Sequence, residues 1–499
     1  MPPRAPPHVL SRASAFITSI PLSRSRRFPA RRACAGRSHA WGRPGSGRLV
    51  AMAAVNLKFI KDNLAAVRQN VRDRAVPADP DRVVALYDAY VALGQRADAL
   101  RRQRNENAAR MKGAAGMQKE ERDACIAEGK RLKADVARLE KDLAEAEVQL
   151  QAESAKIPNM THPDVPVGGE EQARTVSLVG EKRDFAKDGM EAQAHLDVAL
   201  RHDLVDFENA ARVAGNKFYY LRNEGALLEL ALVNWAMTLA AQNGFTVMTT
   251  PDVAREDVVA GCGFAPRGEA SQVYRVAESD LCLVGTAEIP LGGYYAGQIV
   301  AKEELPVKMA AFSHCFRREV GAAGATTRGL YRVHQFSKVE LFVLAHPEES
   351  QRVHEELRAF EETLYASLGL HFRVLDMPTQ DLGHPASRKY DIEAWMPGRG
   401  AYGEVSSASN CTDYQARRLN IRYREARGDN RFVHTLNATA CAVPRMIVAI
   451  LETHVQPDGR VRVPDALRPF MGGAEFIGRA EAAAGAGVAS KETATVVGE

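Results

Sequence analysis

The sequence predicts an α+β protein, an antiparallel sheet with helices outside it, carrying an antiparallel two-helix arm near its N-terminus. Three observations lead there. Two heptad-spaced apolar runs flank a Gly-Ala stretch between residues 81 and 153, two strand-like segments flank a Gly-, Ala- and Thr-rich loop across 307–344, and further alternating segments follow from His371 to Ala442. Heptads bury their seam against a second helix, and period-two alternation marks strands with one face turned inward.

The 499 residues exceed one ordinary core, so two or more domains are expected. A composition of 45% hydrophobic and 26% charged residues is that of a soluble globular protein. No apolar run approaches the roughly 18 residues of a membrane span, and no membrane partner is expected. The net charge of +4 is set by the leader, because residues 1–57 hold ten Arg, no Lys and no acid. The remainder carries 56 basic against 62 acidic residues, a mildly acidic body of about −6, so any polyanion binding must come from a local patch.

Residues 1–55, rich in Arg, Ser, Ala and Pro, read as a disordered organelle transit peptide, and the alternative is a basic arm for nucleic acid. Plastid and mitochondrion fit equally, and Met52 offers an internal start for a cytosolic form. The seven cysteines form no CxxC pair, so neither zinc nor a disulfide framework is indicated.

Residues 56–160 form the N-terminal domain. Asn56–Val76 reads as helical, and Pro77 and Pro80 punctuate the chain. Leu86, Tyr90, Leu93, Ala97 and Leu100, then Leu132, Val136, Leu139, Leu143, Ala146 and Leu150, are spaced 4, 3, 4, 3 as two coiled-coil seams. Gly113-Ala114-Ala115-Gly116 supplies the tip of the hairpin. Arg101, Arg102, Arg104, Arg110 and Lys112 concentrate positive charge toward that tip, which fits either a solvated dimerisation coiled coil or a surface tracking a phosphate backbone.

The Pro/Gly-rich segment Ile157–Gly169 marks the boundary to a second domain, 161–478, which precedes a disordered tail, 479–499. Asp203–Val213 and Gly225–Gly244 read as helices, the second leading into the strand Gly244–Pro251. In Val284–Leu291, Thr286 is an acceptable N-cap and Glu288 suits the positive helix end. Val307–Leu344 is the central hairpin. Strand alternation places Arg317 and Glu319 together on one arm, and Arg332, Phe336, Lys338 and Glu340 together on the other. Such a face is either a set of cross-strand ion pairs or a site in which an Arg fork meets phosphate, a ring meets a base and a carboxylate meets an amino group. Pro347–Leu368 reads as a core-facing helix; strands follow at His371–Met377, Lys389–Pro397 and Ala401–Asn410, then a strand running into a helix over His434–Glu452. A P-loop and a complete dinucleotide fingerprint are missing, so nucleotide use would rely on arginines and metal.

The run Phe316-Arg317-Arg318-Glu319, with a loop ending TTRGLYRVHQFSKVE at Glu340, resembles the second signature motif of class II aminoacyl-tRNA synthetases in its seryl-tRNA synthetase form. The resemblance extends over about residues 56–477, taking in the arm, the Gly244–Pro251 element, Thr286-Ala287-Glu288 and Pro464–Gly473. With the leader it points to the organellar form of a plant or alga. It implies a homodimer that binds ATP, Mg²⁺ and serine and charges tRNA(Ser), gripping that tRNA through the arm.

Position by position, the resemblance implies ATP contacts from Arg317, Arg318, Glu319, Arg332, Val333, Phe336, Glu404, Val405, Ser406, Ser407 and Arg445. Arg317 and Arg445 would be catalytic, and Glu404 with Ser407 would hold Mg²⁺. Serine would be selected by Thr286, Ala287, Glu288, Arg317, Glu340, Asn437 and Thr439. A site built to pair the substrate hydroxyl rejects an analogue lacking it. The chain departs from the family pattern at Ala438, where Gly is usual, at Thr439 for Ser, at Pro444 for Gly, and at Ala408 for Cys; none removes a charge or a metal ligand. Two rivals remain, a relative that charges a carrier protein and a non-catalytic coiled-coil binding module. The arm argues against the first, and Arg317, Glu404 and Arg445 against the second.

Overall fold

The computed structural model describes residues 56–113, 116–265, 271–320, 329–425 and 428–480. The expectations placed on the leader, on the tip residues 114–115, on the loop 321–328 and on the tail from 481 therefore lie outside the described residues.

Two short helices, α1 (Leu57–Asp62) and α2 (Leu64–Asp73), precede the long pair α3 (Pro80–Lys112) and α4 (Lys119–Ser154). Asp79 caps α3 by accepting from the Arg82 amide at 3.0 Å, and Pro80 occupies its first turn, where a missing N–H is harmless. The heptad positions face inward: Ala97, Leu132, Val136, Leu139 and Leu150 are buried. The helices run antiparallel, with Arg101 meeting Glu140 at 2.9 Å and the buried Asn107 donating to the Cys125 carbonyl at 2.9 Å. At the base, Ile60, Val67 and Val71 pack with Val83, Leu150 and Ile157, so the short helices are the footing of the long ones.

The segment after α4 is firmly held, unlike the loose linker its Pro and Gly content suggests. Ile157 and Val165 are buried, and Asn159 donates to the carbonyls of Pro385 and Cys411 at 2.8 and 2.9 Å. Beside it, Arg74 donates to four backbone carbonyls: Asn159 at 2.9 Å, Ala386 at 3.0 Å, Leu382 at 3.1 Å and Gly383 at 2.6 Å. Burial lowers the Arg74 pKa to about 10, still far above neutrality, so the group stays charged.

The rest is built on an eight-stranded sheet. Its strands are β1 (Arg174–Val179), β2 (Thr246–Thr249), β3 (Val307–Phe316), β4 (Gln335–Ala345), β5 (Phe372–Asp376), β6 (Arg388–Met396), β7 (Ala401–Asn410) and β8 (His434–Ala442). The spatial order is β1-β5-β6-β7-β8-β4-β3-β2, and every pairing is antiparallel except β2 with β3.

Alternation along β3 and β4 divides two cores. Ala310, Leu341 and Val343 point to one face and pack beneath the helices α5 (Asn223–Gln242), α7 (Ser350–Ser367) and α9 (Val443–His454). Met309, Ala311, Phe342 and Leu344 point to the other, where Ile289 and Leu291 of α6 (Glu288–Tyr294) and Leu419 of α8 (Tyr414–Leu419) cover them.

Several local expectations change. The first expected helix after the boundary begins only at Phe207; Val205–Asp206 is a short strand, and Asp206 caps the helix by accepting from the Asn209 amide at 2.9 Å. Pro347–Glu349 is a 3-10 turn, and α7 begins at Ser350. α5 is long and apolar enough by composition to cross a membrane, but Leu228, Ala231, Leu232, Trp235 and Ala236 bury one face of it in the core.

Candidate functional site

The ladder between β3 and β4 reaches only part of the site. Their ladder runs from Val307↔Leu344 to Phe316↔Gln335, so Arg317, Glu319 and Arg332 lie beyond it rather than on strand faces. Other bonds aim them: the Arg317 amide donates to the His334 carbonyl at 2.9 Å, and Glu319 adopts φ +49°, a left-handed conformation uncommon for a side chain of its kind. Along β4 the alternation does hold, and Phe336, Lys338 and Glu340 continue the face that begins with Leu344 and Phe342 in the core.

These residues border a cleft whose space between atoms, open solvent included, is about 580 Å³. Arg317, Glu319, Arg332, Val333 and Phe336 line one side, and Glu404, Val405, Ser406, Ser407 and Arg445 the other. The Arg317 guanidinium lies 5.2 Å from the Phe336 ring centre, and Arg332 pairs with Glu319 at 3.2 Å. Arg318 is the exception to the expected set: it turns away, donating to the Ser271 carbonyl at 3.2 Å, and does not line the cleft.

Arg445 stands in the first turn of α9 and pairs with the Glu404 carboxylate at 3.0 Å while donating to its backbone carbonyl at 2.9 Å. Although burial opposes ionisation, the cations Arg445 and Lys389 hold Glu404 below the usual carboxylate range. Tyr331, which sequence reading passed over, lies between two guanidiniums, 4.2 Å from Arg399 and 4.8 Å from Arg445.

The test of a divalent ion is the donor set. Glu404 supplies an anionic oxygen and Ser407 a hydroxyl, both hard ligands, and buried Asp391 opposite Ser407 has one carboxyl oxygen without a partner among the described residues. The residues fit. Among the described residues no three His, Cys, Asp or Glu side chains cluster as a metal site, so phosphate or water oxygens would have to complete the shell.

The second compartment is a cluster of buried polar side chains that adjoins the cleft through Lys338 and Thr439. Lys338 and Glu340 form an ion pair with both side chains buried, and the Thr439 hydroxyl lies 3.5 Å from the Glu340 carboxylate. Thr286 accepts from the Glu288 amide at 3.2 Å, while Ala287 is fully buried at the start of α6. Asn437 donates to Glu288 at 2.8 Å. Burial, helped by the charge of Glu340, pushes the Glu288 pKa up to about 7, against the pull of Gln415, Lys338 and Asn437.

Beneath both compartments lies a carboxylate on the core row of α7, Glu361. Ser406 Oγ is 2.8 Å from Glu361 and 2.7 Å from the Thr439 carbonyl, and one hydroxyl proton cannot serve two acceptors. Glu361 therefore carries a proton and donates to Ser406, which in turn donates to Thr439. Complete burial raises its pKa well above the carboxylate range in the same sense. Here β7 and β8 part company, their ladder ending at Ala408↔Ala438. Those two alanines are also departures from the family pattern, and they face each other: a methyl added at one position is accommodated by a smaller side chain at the other.

An antiparallel sheet with a cleft ringed by arginines, and with neither a P-loop nor a Rossmann turn among the described residues, is the arrangement of a class II aminoacyl-tRNA synthetase core. The model of the tRNA synthetase class II core domain (G, H, P, S and T) matches residues 272–454, and that of the seryl-tRNA synthetase N-terminal domain matches residues 55–161. The chain is 49% identical to the serine–tRNA ligase of Treponema denticola over 84% of its own length and 99% of the relative's, and 47% identical to that of Rubrobacter xylanophilus over 85% and 99%. It superposes on the seryl-tRNA synthetase of Pyrococcus horikoshii complexed with ATP with a TM-score of 0.77 at 36% identity, covering 86% of this chain and 100% of that one. A cytoplasmic serine–tRNA ligase of Naegleria fowleri in complex with AMP superposes with a TM-score of 0.69 at 29% identity, over 85% and 98%. The chain belongs to the serine–tRNA ligase family.

The raised Glu288 pKa gives an expected pH dependence. Protonation removes the charge that would attract a substrate ammonium, so the serine KM rises as pH falls below about 7, by up to roughly tenfold per pH unit. Glu288→Gln flattens that profile, as initial rates across pH will test. For stability the sign is opposite: a carboxyl with a raised folded pKa stabilises the fold below its unfolded value, and that contribution is lost as pH rises through about 7.

Proposed function

We propose that this chain activates serine with ATP and transfers the seryl group to the 3′ end of tRNA(Ser) inside an organelle. The observation that carries the reading is the convergence of Arg317, Phe336, Glu404 and Arg445 on one cleft beside the buried Glu288–Glu340 compartment. Serine would sit with its ammonium toward the acids and its hydroxyl toward Glu340 and Thr439. Its carboxylate oxygen attacks the α-phosphorus of ATP, a new P–O bond forms, and the bond to pyrophosphate breaks. Arg317 and Arg445 offset the charge that accumulates, by position rather than by covalent chemistry. Phe336 offers a face to the adenine ring, and Glu319 an acceptor to its amino group. Mg²⁺, held by Glu404 and Ser407, would supply further positive charge at the phosphates. In the second step a ribose hydroxyl of tRNA attacks the seryl carbonyl, and AMP leaves.

Three further readings belong to this proposal. The arm, a coiled coil with Arg102 and Arg104 exposed and unpaired among the described residues, is suited to a tRNA backbone; Arg101 and Arg110 are already paired with Glu140 and Glu121. A homodimer would cover Leu227 and Leu230 of α5, 54% and 59% exposed, beside the sheet's edge strand β2. The arginine-rich leader would be the organellar address.

The test is serine-dependent ATP–pyrophosphate exchange together with charging of tRNA(Ser). Both are expected with serine, and neither with alanine, which brings no hydroxyl for Glu340 and Thr439 to pair. Exchange that does not respond to serine overturns the reading. A fluorescent fusion of residues 1–57 is expected in an organelle, and diffuse cytosolic signal removes that part alone.

A further inference from the structure

Gln415 is fully buried in α8, does not line the ATP cleft, and has no place in the reaction itself. Every polar atom of its side chain is used. Nε2 donates to the Cys262 carbonyl at 3.1 Å, a partner that can only accept, which fixes which end of the amide is nitrogen. Oε1 accepts from the Thr435 hydroxyl at 2.7 Å. The remaining N–H goes to Glu288 Oε1 at 2.6 Å, the same oxygen that accepts from Asn437 at 2.8 Å. One oxygen of Glu288 is thus saturated by two donors, while Oε2 takes no hydrogen bond among the described residues.

The chemistry of those donors matters. An Arg or Lys at either position would neutralise Glu288 and leave nothing for a cationic ligand. Two amides orient the carboxylate and leave its charge unspent. Nor can the carboxylate rotate to offer its other edge, because Gln415 is tied to the Cys262 turn and to β8 at once.

We propose that Gln415 is a positioning residue for serine recognition: it locks one oxygen of Glu288 so that the other oxygen faces the ammonium group of the amino acid. This rests on the reading of the compartment as the serine pocket.

The test uses the full chain with Gln415→Met, Glu288→Gln, the double variant, and Thr435→Val, which removes the hydroxyl donor to the amide while preserving side-chain shape. Serine-dependent exchange is followed at varied serine and varied ATP. Gln415→Met is expected to raise the serine KM about tenfold while kcat stays within about threefold and the ATP KM within about twofold; Thr435→Val moves the serine KM the same way by about threefold. Because Gln415 acts through Glu288, the double variant is expected to be no worse than Glu288→Gln alone, within about twofold. Three results overturn the proposal: an unchanged serine KM in both Gln415→Met and Thr435→Val, an ATP KM that rises in step with the serine KM, or losses that multiply in the double variant. A parent chain without serine-dependent exchange overturns the serine pocket itself, a different failure.

Discussion

Arg317→Ala is expected to cut kcat/KM for serine-dependent pyrophosphate exchange by roughly 10³-fold, about 4 kcal/mol of transition-state stabilisation. Arg317 is placed where the two compartments meet, 5.2 Å from the Phe336 ring centre and within reach of the Gly285 carbonyl at 3.5 Å. From there one guanidinium can touch both the attacking carboxylate and the phosphate it attacks. Both reactants are anions, so removing the cation raises the barrier more than it weakens either ground state. Arg317→Lys is expected to recover only part of the loss, since a point charge cannot bridge two groups as a planar fork does. Thermal melts should move little, because Arg317 is only half-buried and forms no ion pair among the described residues. A loss of exchange below tenfold in Arg317→Ala would remove it from the chemistry.

The second large effect separates charging from activation. Replacing residues 97–144 by a short Gly-Ser turn shortens α3 and α4 together while keeping Val83, Leu150 and Ile157 in the base of the arm. Charging of tRNA(Ser) is expected to fall at least 10²-fold, with pyrophosphate exchange within about threefold of the parent, because several phosphate contacts are lost and none of the cleft is touched. Filter-bound aminoacylation alongside exchange will decide it. Equal losses in both assays would mean that the arm supports the catalytic domain rather than the tRNA.

The difference between what the residues announced and what they concealed has a physical pattern. Periodicity disclosed the helix pair and the sheet, because Leu132, Val136 and Leu139, or Ala310, Leu341 and Val343, are apolar residues recurring at a fixed interval. It misplaced Arg317, Glu319 and Arg332, since their directions come from turns beyond the ladder and obey no period. Arg318 sits in the same motif and faces away, which spacing cannot distinguish. Glu361 left a trace: it occupies the row of Val353 and Leu357, a carboxylate at a core position of α7. Gln415 left none, because an amide in a short basic helix reads as surface until its three partners from distant segments are in view.

Arg74 sits at the root of a lever. An arm of 33 residues extends about 50 Å at 1.5 Å per residue, so a tilt of only about 5° at its base sweeps the far end through about 4 Å, more than the length of a hydrogen bond. Four carbonyls gathered by one guanidinium, with the Asn159 bonds beside them, therefore help set the aiming tolerance of a surface far from them, and a nucleic acid bound out there would be registered on the cleft only as well as that footing is stiff.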